Sequence, residues 1–385
     1  MVADGELKVK KDWEIKKLED VCEFLDSRRK PITANKRTKG PIPYYGATGI
    51  LDYVADFLFD EELILLGEDG AKWGPGDKSA FRISGKTWVN NHAHVLKPKN
   101  MNYDWIIYYL NYSDLMKFVK GATVPKLNQE NAKNISIPVP PLEEQKRIVK
   151  ILDEKFAQLE TIKANAQTNL QNAKDLFQSQ LAKAFSNTTW EKKRLGDFSE
   201  ITDGDHLPPP KSPRGFPFIT ISNIDKDSHT INFTDTFYVP ETYFANLKEN
   251  RKPKKGDVLY TVTGSYGIPV IVDGSVEFCF QRHIGLIRPS SEINSNYLYY
   301  WILSPEAKKI ADDVATGTAQ KTVSLSSLRN FEVPLPPLPE QKRIVKELDA
   351  LSEKLRQLQE IYTKQIANCD ELKQAYLQKA FEGEL

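Results

Sequence analysis

The sequence predicts an α+β protein in which two similar α/β-type domains alternate with a pair of long antiparallel coiled-coil helices, giving a pseudo-twofold internal repeat. Three observations predict it. An eleven-residue segment, Pro140 to Lys150, returns nearly unchanged as Pro336 to Lys346; a Trp-Glu pair opens each copy at Trp13 and Trp190; and each Pro-Pro-Leu is followed by a stretch dominated by Ala, Leu, Glu, Gln and Lys.

The repeat organises everything else, because self-similarity at a fixed spacing marks duplicated structural units. The offset of 196 carries on to Leu181-Ala182-Lys183-Ala184-Phe185 against Leu377-Gln378-Lys379-Ala380-Phe381, and Gly121 matches Gly317. The Trp-Glu openings are 177 apart, so the second copy holds 19 more residues than the first between its opening and its helix. The expected divisions are a first domain at 1–137, a first helix at 138–187, a second domain at 188–333 and a second helix at 334–385.

In the first domain, Glu62 to Leu66 reads as a strand and the aromatic run Tyr103 to Tyr112 as a helix. The first long helix is expected to pack through Leu152, Phe156, Leu159, Ile162, Leu170 and Phe177. In the second domain, Asp257 to Val262 and Gly267 to Val272 read as strands, and Tyr297 to Leu303 as a helix. The second long helix approximates a heptad, with Leu348, Leu355, Tyr362 and Tyr376 at one position and Leu351, Leu358 and Leu372 at the other. Prolines start both helices, and at 1.5 Å per residue each spans roughly 65 Å. Simple core packing accounts for such stripes but not for the repeated polar start. Glu144, Gln145 and Arg147, matched by Glu340, Gln341 and Arg343, suggest one kind of partner bound twice.

Composition is that of an ordinary water-soluble chain. With 385 residues it exceeds one compact core, and 53 basic against 52 acidic residues give no bulk charge signal for or against nucleic acid. The three cysteines are far apart and lack a C-x-x-C pair, which suits a reduced cytoplasm without structural zinc. No run of about 18 apolar residues occurs, and Met1 to Glu6 lacks the order of a signal peptide, so a cytoplasmic location is expected.

These features together resemble the specificity subunits of type I restriction-modification systems, the HsdS family. The P-P-L-x-E-Q-x-x-I sequences from Pro140 and Pro336, the Trp-Glu-x-x-x-Leu openings and the C-terminal Ala380-Phe381-Glu382-Gly383-Glu384-Leu385 carry the likeness, which covers almost the whole chain. The resemblance implies two target-recognition domains on double-stranded DNA, each reading half of a bipartite site. It also implies a helix pair that acts as a ruler and docks two methyltransferase subunits, joined by a motor-nuclease subunit. S-adenosylmethionine, ATP and Mg would then belong to the partners, with no cofactor in this chain. On helix length alone, half-sites lie at most roughly 19 base pairs apart.

Reading DNA requires donors at base edges and cations at phosphates. The first domain offers Arg28, Arg29 and Lys30, then Lys36 and Arg37, then Tyr44 and Tyr45, although a solvated surface loop explains this stretch nearly as well. Lys72 and Trp73 sit in a Gly-rich turn that matches the turn holding Tyr266 in the second domain, and plain hairpin turns are the alternative. Lys126 and Asn128 follow Gly121. The second domain adds Lys211, Arg214, Arg282, His283, Gln320 and Lys321.

Features with a catalytic look fail on inspection. Gly85-Lys86-Thr87 lacks the leading glycine of a phosphate-binding loop, because Ala80 stands there. His92-x-His94 could hold a metal, but the second copy keeps only His283, which favours a structural role. Val139-Pro140-Pro141-Leu142 lacks the polar first residue and aromatic last residue of an adenine methyltransferase loop. The expectation is a non-enzymatic DNA-specificity module. The competing expectation is a coiled-coil scaffold that recruits proteins without reading DNA.

Overall fold

The computed structural model describes residues 10, 12–121, 123–206, 209–318 and 320–385, so the segment Met1 to Glu6 lies outside the described residues. The chain divides into two units. One runs to Gln167 and takes in Thr363–Leu385; the other is Thr168–Tyr362. Each unit therefore owns one globular part and a stretch of both long helices.

The first unit opens with β1 (Glu14–Lys17), the single turn α1 (Leu18–Val21) and β2 (Cys22–Phe24). There follow β3 (Ile42–Gly46), β4 (Gly49–Val54), β5 (Phe59–Asp60), β6 (Leu63–Gly67), β7 (Ala80–Ile83), β8 (Lys86–Val89) and β9 (Ala93–Pro98). Then α2 (Tyr103–Tyr112), α3 (Gln129–Lys133) and β10 (Ser136–Val139) lead into the long helix α4 (Leu142–Phe185). The strands form a sheet of order β2-β9-β6-β7, a second of order β4-β3-β8-β5, and the pair β1-β10. All five residues of β6 are buried, as a strand covered on both faces requires.

The second unit repeats this plan with β11 (Lys192–Arg194), β12 (Ser199–Asp203), β13 (Phe216–Ile219), β14 (Ile224–Asp225), β15 (Thr230–Ile231), β16 (Phe237–Val239) and α5 (Glu241–Ala245). It continues through β17 (Val258–Thr261), β18 (Pro269–Ile271), β19 (Cys279–Phe280), β20 (Ile284–Pro289), α6 (Ser295–Ile302), α7 (Pro305–Val314), α8 (Leu325–Arg329) and β21 (Glu332–Pro334) to α9 (Leu338–Glu382). Its sheets run β12-β20-β17-β18 and β16-β13-β19, with the pair β11-β21. The order matches the first unit, except that the edge strand β5 has no counterpart. The largest difference in length lies at one connection. Where β3 and β4 join through Ala47 and Thr48, β13 and β16 are separated by residues 220–236, which carry the small hairpin β14-β15.

Helices α4 and α9 pack together in each unit. The first core joins Leu152, Phe156 and Leu159 of α4 to Cys369, Leu377, Ala380 and Phe381 of α9, with Trp13 and Trp105 of the globular part. The second joins Phe177, Leu181 and Phe185 of α4 to Ile344, Val345 and Leu348 of α9, with Tyr297 and Trp301. Leu170 and Tyr362 are half-buried, while Leu351, Leu355 and Tyr376 pack against these cores. The expected packing fails at Ile162, Leu358 and Leu372, which are 40%, 37% and 48% exposed. On α9 the partly buried places fall instead to Ser352, Gln359, Ile366 and Lys373, because the covered stripe runs through the residue that follows Leu358 and Leu372. Lys163, next to Ile162, reaches across to Asp370 at 2.7 Å.

The repeated glutamines are the other correction. Gln145 and Gln341 are 1% and 0% exposed, so they cannot meet a partner. Gln145 accepts from the Asn102 N–H at 2.9 Å and donates to the Pro140 carbonyl at 2.8 Å. Gln341 accepts from the Asn294 N–H at 2.8 Å and donates to the Pro336 carbonyl at 2.8 Å. Asn102 and Asn294 are the N-caps of α2 and α6. The glutamine thus ties each long helix to the aromatic helix beside it, which explains its return in both copies without a partner. Glu144 with Arg147, and Glu340 with Arg343, form surface pairs one helical turn apart.

Candidate nucleic-acid interface

In each unit four separate segments converge at one edge, held by corresponding backbone bonds. In the first unit Asn90 N–H donates to Tyr45 O at 3.1 Å, Glu68 N–H to His92 O at 2.9 Å and Leu127 N–H to Glu68 O at 2.8 Å. In the second, Gln281 N–H donates to Ile219 O, Val262 N–H to His283 O and Val323 N–H to Val262 O, each at 2.9 Å. The loop after the matched glycine closes in the same way, by paired bonds between Lys120 and Lys126 and between Thr316 and Thr322. Gly121 and Gly317 have φ of 99° and 110°, and a Cβ there would lie 2.4 Å from Val124 O and 2.3 Å from Gln320 O. No other residue fits, which is why this glycine survives in both copies.

On the shared backbone the side chains differ. Beneath the first edge lies a charged network. Arg29 contacts Asp26 at 3.1 Å and Glu68 at 2.5 Å, and Lys126 contacts Glu68 at 3.0 Å. His94, fully buried, places Nδ1 2.6 Å from Asp26 and Nε2 2.8 Å from the Leu127 carbonyl. Burial by itself would raise the Asp26 carboxyl, but the hydrogen bond and charge of His94, the Val95 N–H and Arg29 outweigh it and hold the group below its usual range. Glu68 is lowered likewise, burial being outweighed by Arg29, His94 and Lys126. Asp26, Glu68 and His94 stand close enough together to suggest a metal site. Yet both ring nitrogens of His94 already face oxygen partners and two cations occupy the carboxylates, so the donor set is spent on internal pairs. In the second unit, Val262 and Gly285 occupy the places of Glu68 and His94 in the matching ladders, while Asp203 stands at the place of Asp26 and contacts Arg251 at 2.9 Å.

Most of the predicted contact residues are on the surface. Lys30, Lys36, Lys72, Lys211, Arg214, Arg282, Gln320 and Lys321 are exposed. Arg28 is tied to Glu61 at 3.1 Å, and Arg37 is tied to Asp52 at 3.0 Å while lying over the Tyr44 ring. Tyr45 is half-buried near Phe81. Two predicted contacts are core residues instead. Tyr44 is buried with its hydroxyl accepting from Ile32 N–H at 2.9 Å, and buried Trp73 donates to the Gly67 carbonyl at 2.9 Å. Asn128 caps α3 by accepting from Asn131 N–H at 2.8 Å, and Tyr266 donates to Asp312 at 2.7 Å.

The structure brings Lys126 to the first edge, and Arg282, His283, Gln320 and Lys321 to the second. Lys211 and Arg214 lie elsewhere, on the segment that precedes β13 and pairs with Tyr238 through Ser212. Sequence reasoning missed Asp26, Glu68 and His94 as one network. It also missed the exposed apolar face of β4, where Ile50, Leu51 and Tyr53 are all about half exposed, as well as Ser222 and Lys226 in the inserted segment. The difference between the two repeat offsets announced an insertion without locating it.

Comparison with known proteins gives a consistent result. Residues 10–171 and 187–366 both match the family model described as the type I restriction modification DNA specificity domain. A Haemophilus influenzae chain assigned to the type I restriction enzyme specificity subunits is 30% identical over 352 residues, covering 88% of this chain and 86% of that one. Among solved structures, a chain from work on complex assembly and conformational transition of the type I R-M system superposes with a TM-score of 0.76. It has 20% identity and covers 98% of this chain and 99% of that chain. The HsdS subunit from Thermoanaerobacter tengcongensis gives a TM-score of 0.58 at 21% identity, with 98% of each chain covered.

Proposed function

The chain belongs to the family of type I restriction-modification DNA specificity subunits, and from that premise we propose that its two globular parts, within 1–137 and 188–333, each read one half of a bipartite site in double-stranded DNA. The observation that carries this division of labour is the duplicated edge: the same backbone bonds and the same obligatory glycine carry Lys126 over the Glu68 and His94 network in one unit, and Arg282, His283, Gln320 and Lys321 in the other. A retained scaffold with exchanged side chains is what reading two different base sequences requires.

The chain contributes recognition, and the chemistry comes from partners. S-adenosylmethionine, ATP and Mg would act in those partners, and this chain would hold no metal or cofactor and perform no catalytic step. Two methyltransferase subunits dock on the helix pair, and a motor-nuclease subunit completes the restriction form. The exposed apolar side chains support the doubled docking. Ile162 and Leu372 in the first unit have Leu358 and Leu176 as their counterparts in the second, all at least 37% exposed, and Leu142 is matched by exposed Leu338. Apolar side chains on the outside of a helix pair, repeated in register, suit one partner bound twice.

The test is to purify the chain with its genomic neighbours and map methylated adenines in host DNA by sequencing. A split motif whose halves change separately when 13–137 or 190–333 is exchanged supports this reading. A continuous motif, or no dependence on the chain, overturns it. A scaffold that reads no DNA would show no steep loss of split-duplex affinity with salt.

A further inference from the structure

The two units differ most where residues 220–236 are inserted, and that segment forms one wall of a cleft with no counterpart in the hairpin turn of the first unit. The cleft has a volume of about 370 Å³. Ser222 and Lys226 come from the insert, Thr263 and Ser265 from the turn after β17, His283 from the lead into β20 and Gln320 from the loop after Gly317. The remaining lining is glycine and isoleucine, with no carboxylate among the described residues.

Both walls are fixed before any ligand arrives. Gly264 N–H donates to the Lys321 carbonyl at 2.9 Å, joining the turn to the glycine loop. In the insert, buried Asn223 donates to the carbonyls of Asn232 and Asp235 at 3.2 and 2.7 Å, closing the segment on itself. Such a frame holds side chains in place without further ordering cost. The inventory suits base edges. An amide such as Gln320 can donate and accept together against adenine, hydroxyls can do either, and apolar side chains meet a thymine methyl group. Lysine at the rim and the absence of carboxylates favour a polyanion.

We propose that this cleft is the base-reading element of the second unit, with Gln320 and Ser222 reading base edges in one half-site and Lys226 holding an adjacent phosphate. The assignment rests on the reading of the chain as a bipartite DNA-specificity subunit. The insert is then what gives the second unit a target of its own.

The experiment uses the full chain with its methyltransferase partners and duplexes in which each base of each half-site is replaced in turn. Gln320→Ala is expected to lower discrimination at one position of one half-site by roughly 5- to 150-fold, leaving the other half-site unchanged. Gln320→Glu, which keeps the shape and removes the amide donors, should shift the preferred base rather than abolish preference. Lys226→Ala should weaken all duplexes alike and reduce the salt slope by about one. If Gln320→Ala and Ser222→Ala leave discrimination intact at both half-sites while the complex still prefers its split target, the cleft assignment is wrong and the bipartite reading stands. If the parent complex shows no split preference at all, both fall.

Discussion

Phe381 lies near the C-terminus, yet it belongs to the first unit. Its ring sits 4.9 Å from Trp105, 5.0 Å from Tyr109 and 5.3 Å from Tyr112, all on α2, and it is 3% exposed. Phe381→Ala removes a buried aromatic, which costs about 3–5 kcal/mol, with the ring pairs placing it toward the upper end. Against a domain stability of about 5–15 kcal/mol, a loss of about 4 kcal/mol raises the opening equilibrium of the unit roughly a thousandfold. Hydrogen exchange read by peptide would show it. Peptides from 13–137 should exchange faster throughout, while those from 190–333 keep their parent rates. The reciprocal variant Phe185→Ala, whose ring lies 5.3 Å from Tyr297, should reverse the pattern. The reasoning fails if Phe381→Ala accelerates exchange only in the last turns of α9, because the helix end would then be a frayed appendage rather than part of the first core.

Three other outcomes follow from the same geometry. Gln145→Leu or Gln341→Leu strands a buried N–H and carbonyl and should cost about 1–3 kcal/mol in denaturant unfolding, with methyltransferase capture unchanged; lost capture at full stability would restore a docking role. Asp26 and Glu68 are both depressed when folded, so their stabilisation is complete above their ordinary values of 3.8 and 4.5 and is lost as pH falls through the folded values. Asp26→Asn should therefore flatten the acid limb of the stability curve, and an unchanged limb would contradict the network. Ile162→Asp with Leu372→Asp should leave melting within about 0.5 kcal/mol of the parent and halve the methyltransferase copies bound, counted by native mass; two copies still bound would rule out that face.

What the sequence reveals on its own is whatever has a short period or a repeat. The start of α4 after Pro140-Pro141, the aromatic helix over Tyr103 to Tyr112 and the equivalence of the two units are all visible, because each depends on neighbours along the chain. The helix seam is only half visible. The position of Leu348, Leu355, Tyr362 and Tyr376 is apolar and stands out. Its companion holds Ser352, Gln359, Ile366 and Lys373, where Ile366 alone is apolar, so the outward leucines at 358 and 372 mimic a seam. Gln145 and Gln341 mislead for a different reason. A polar residue reads as surface unless its buried partners are known, and those partners are N-caps more than 40 residues upstream.

The charged network shows the same limit at greater range, and it also shows how such a domain changes its target without losing its fold. Asp26, Glu68, His94 and Lys126 are spread over a hundred residues and meet only because β6 and β9 pair and Leu127 bonds back to Glu68. A charge buried there must be matched by a partner, so a change at one member calls for a change among its neighbours. In the second unit Val262 and Gly285 replace Glu68 and His94, and Asp203, at the place of Asp26, pairs with Arg251 instead. Because backbone bonds and the positive-φ glycine position the loop in both units, neither interior is needed to define where the loop runs. The side chains above it are then free to differ, and the two edges can carry different base preferences on one architecture.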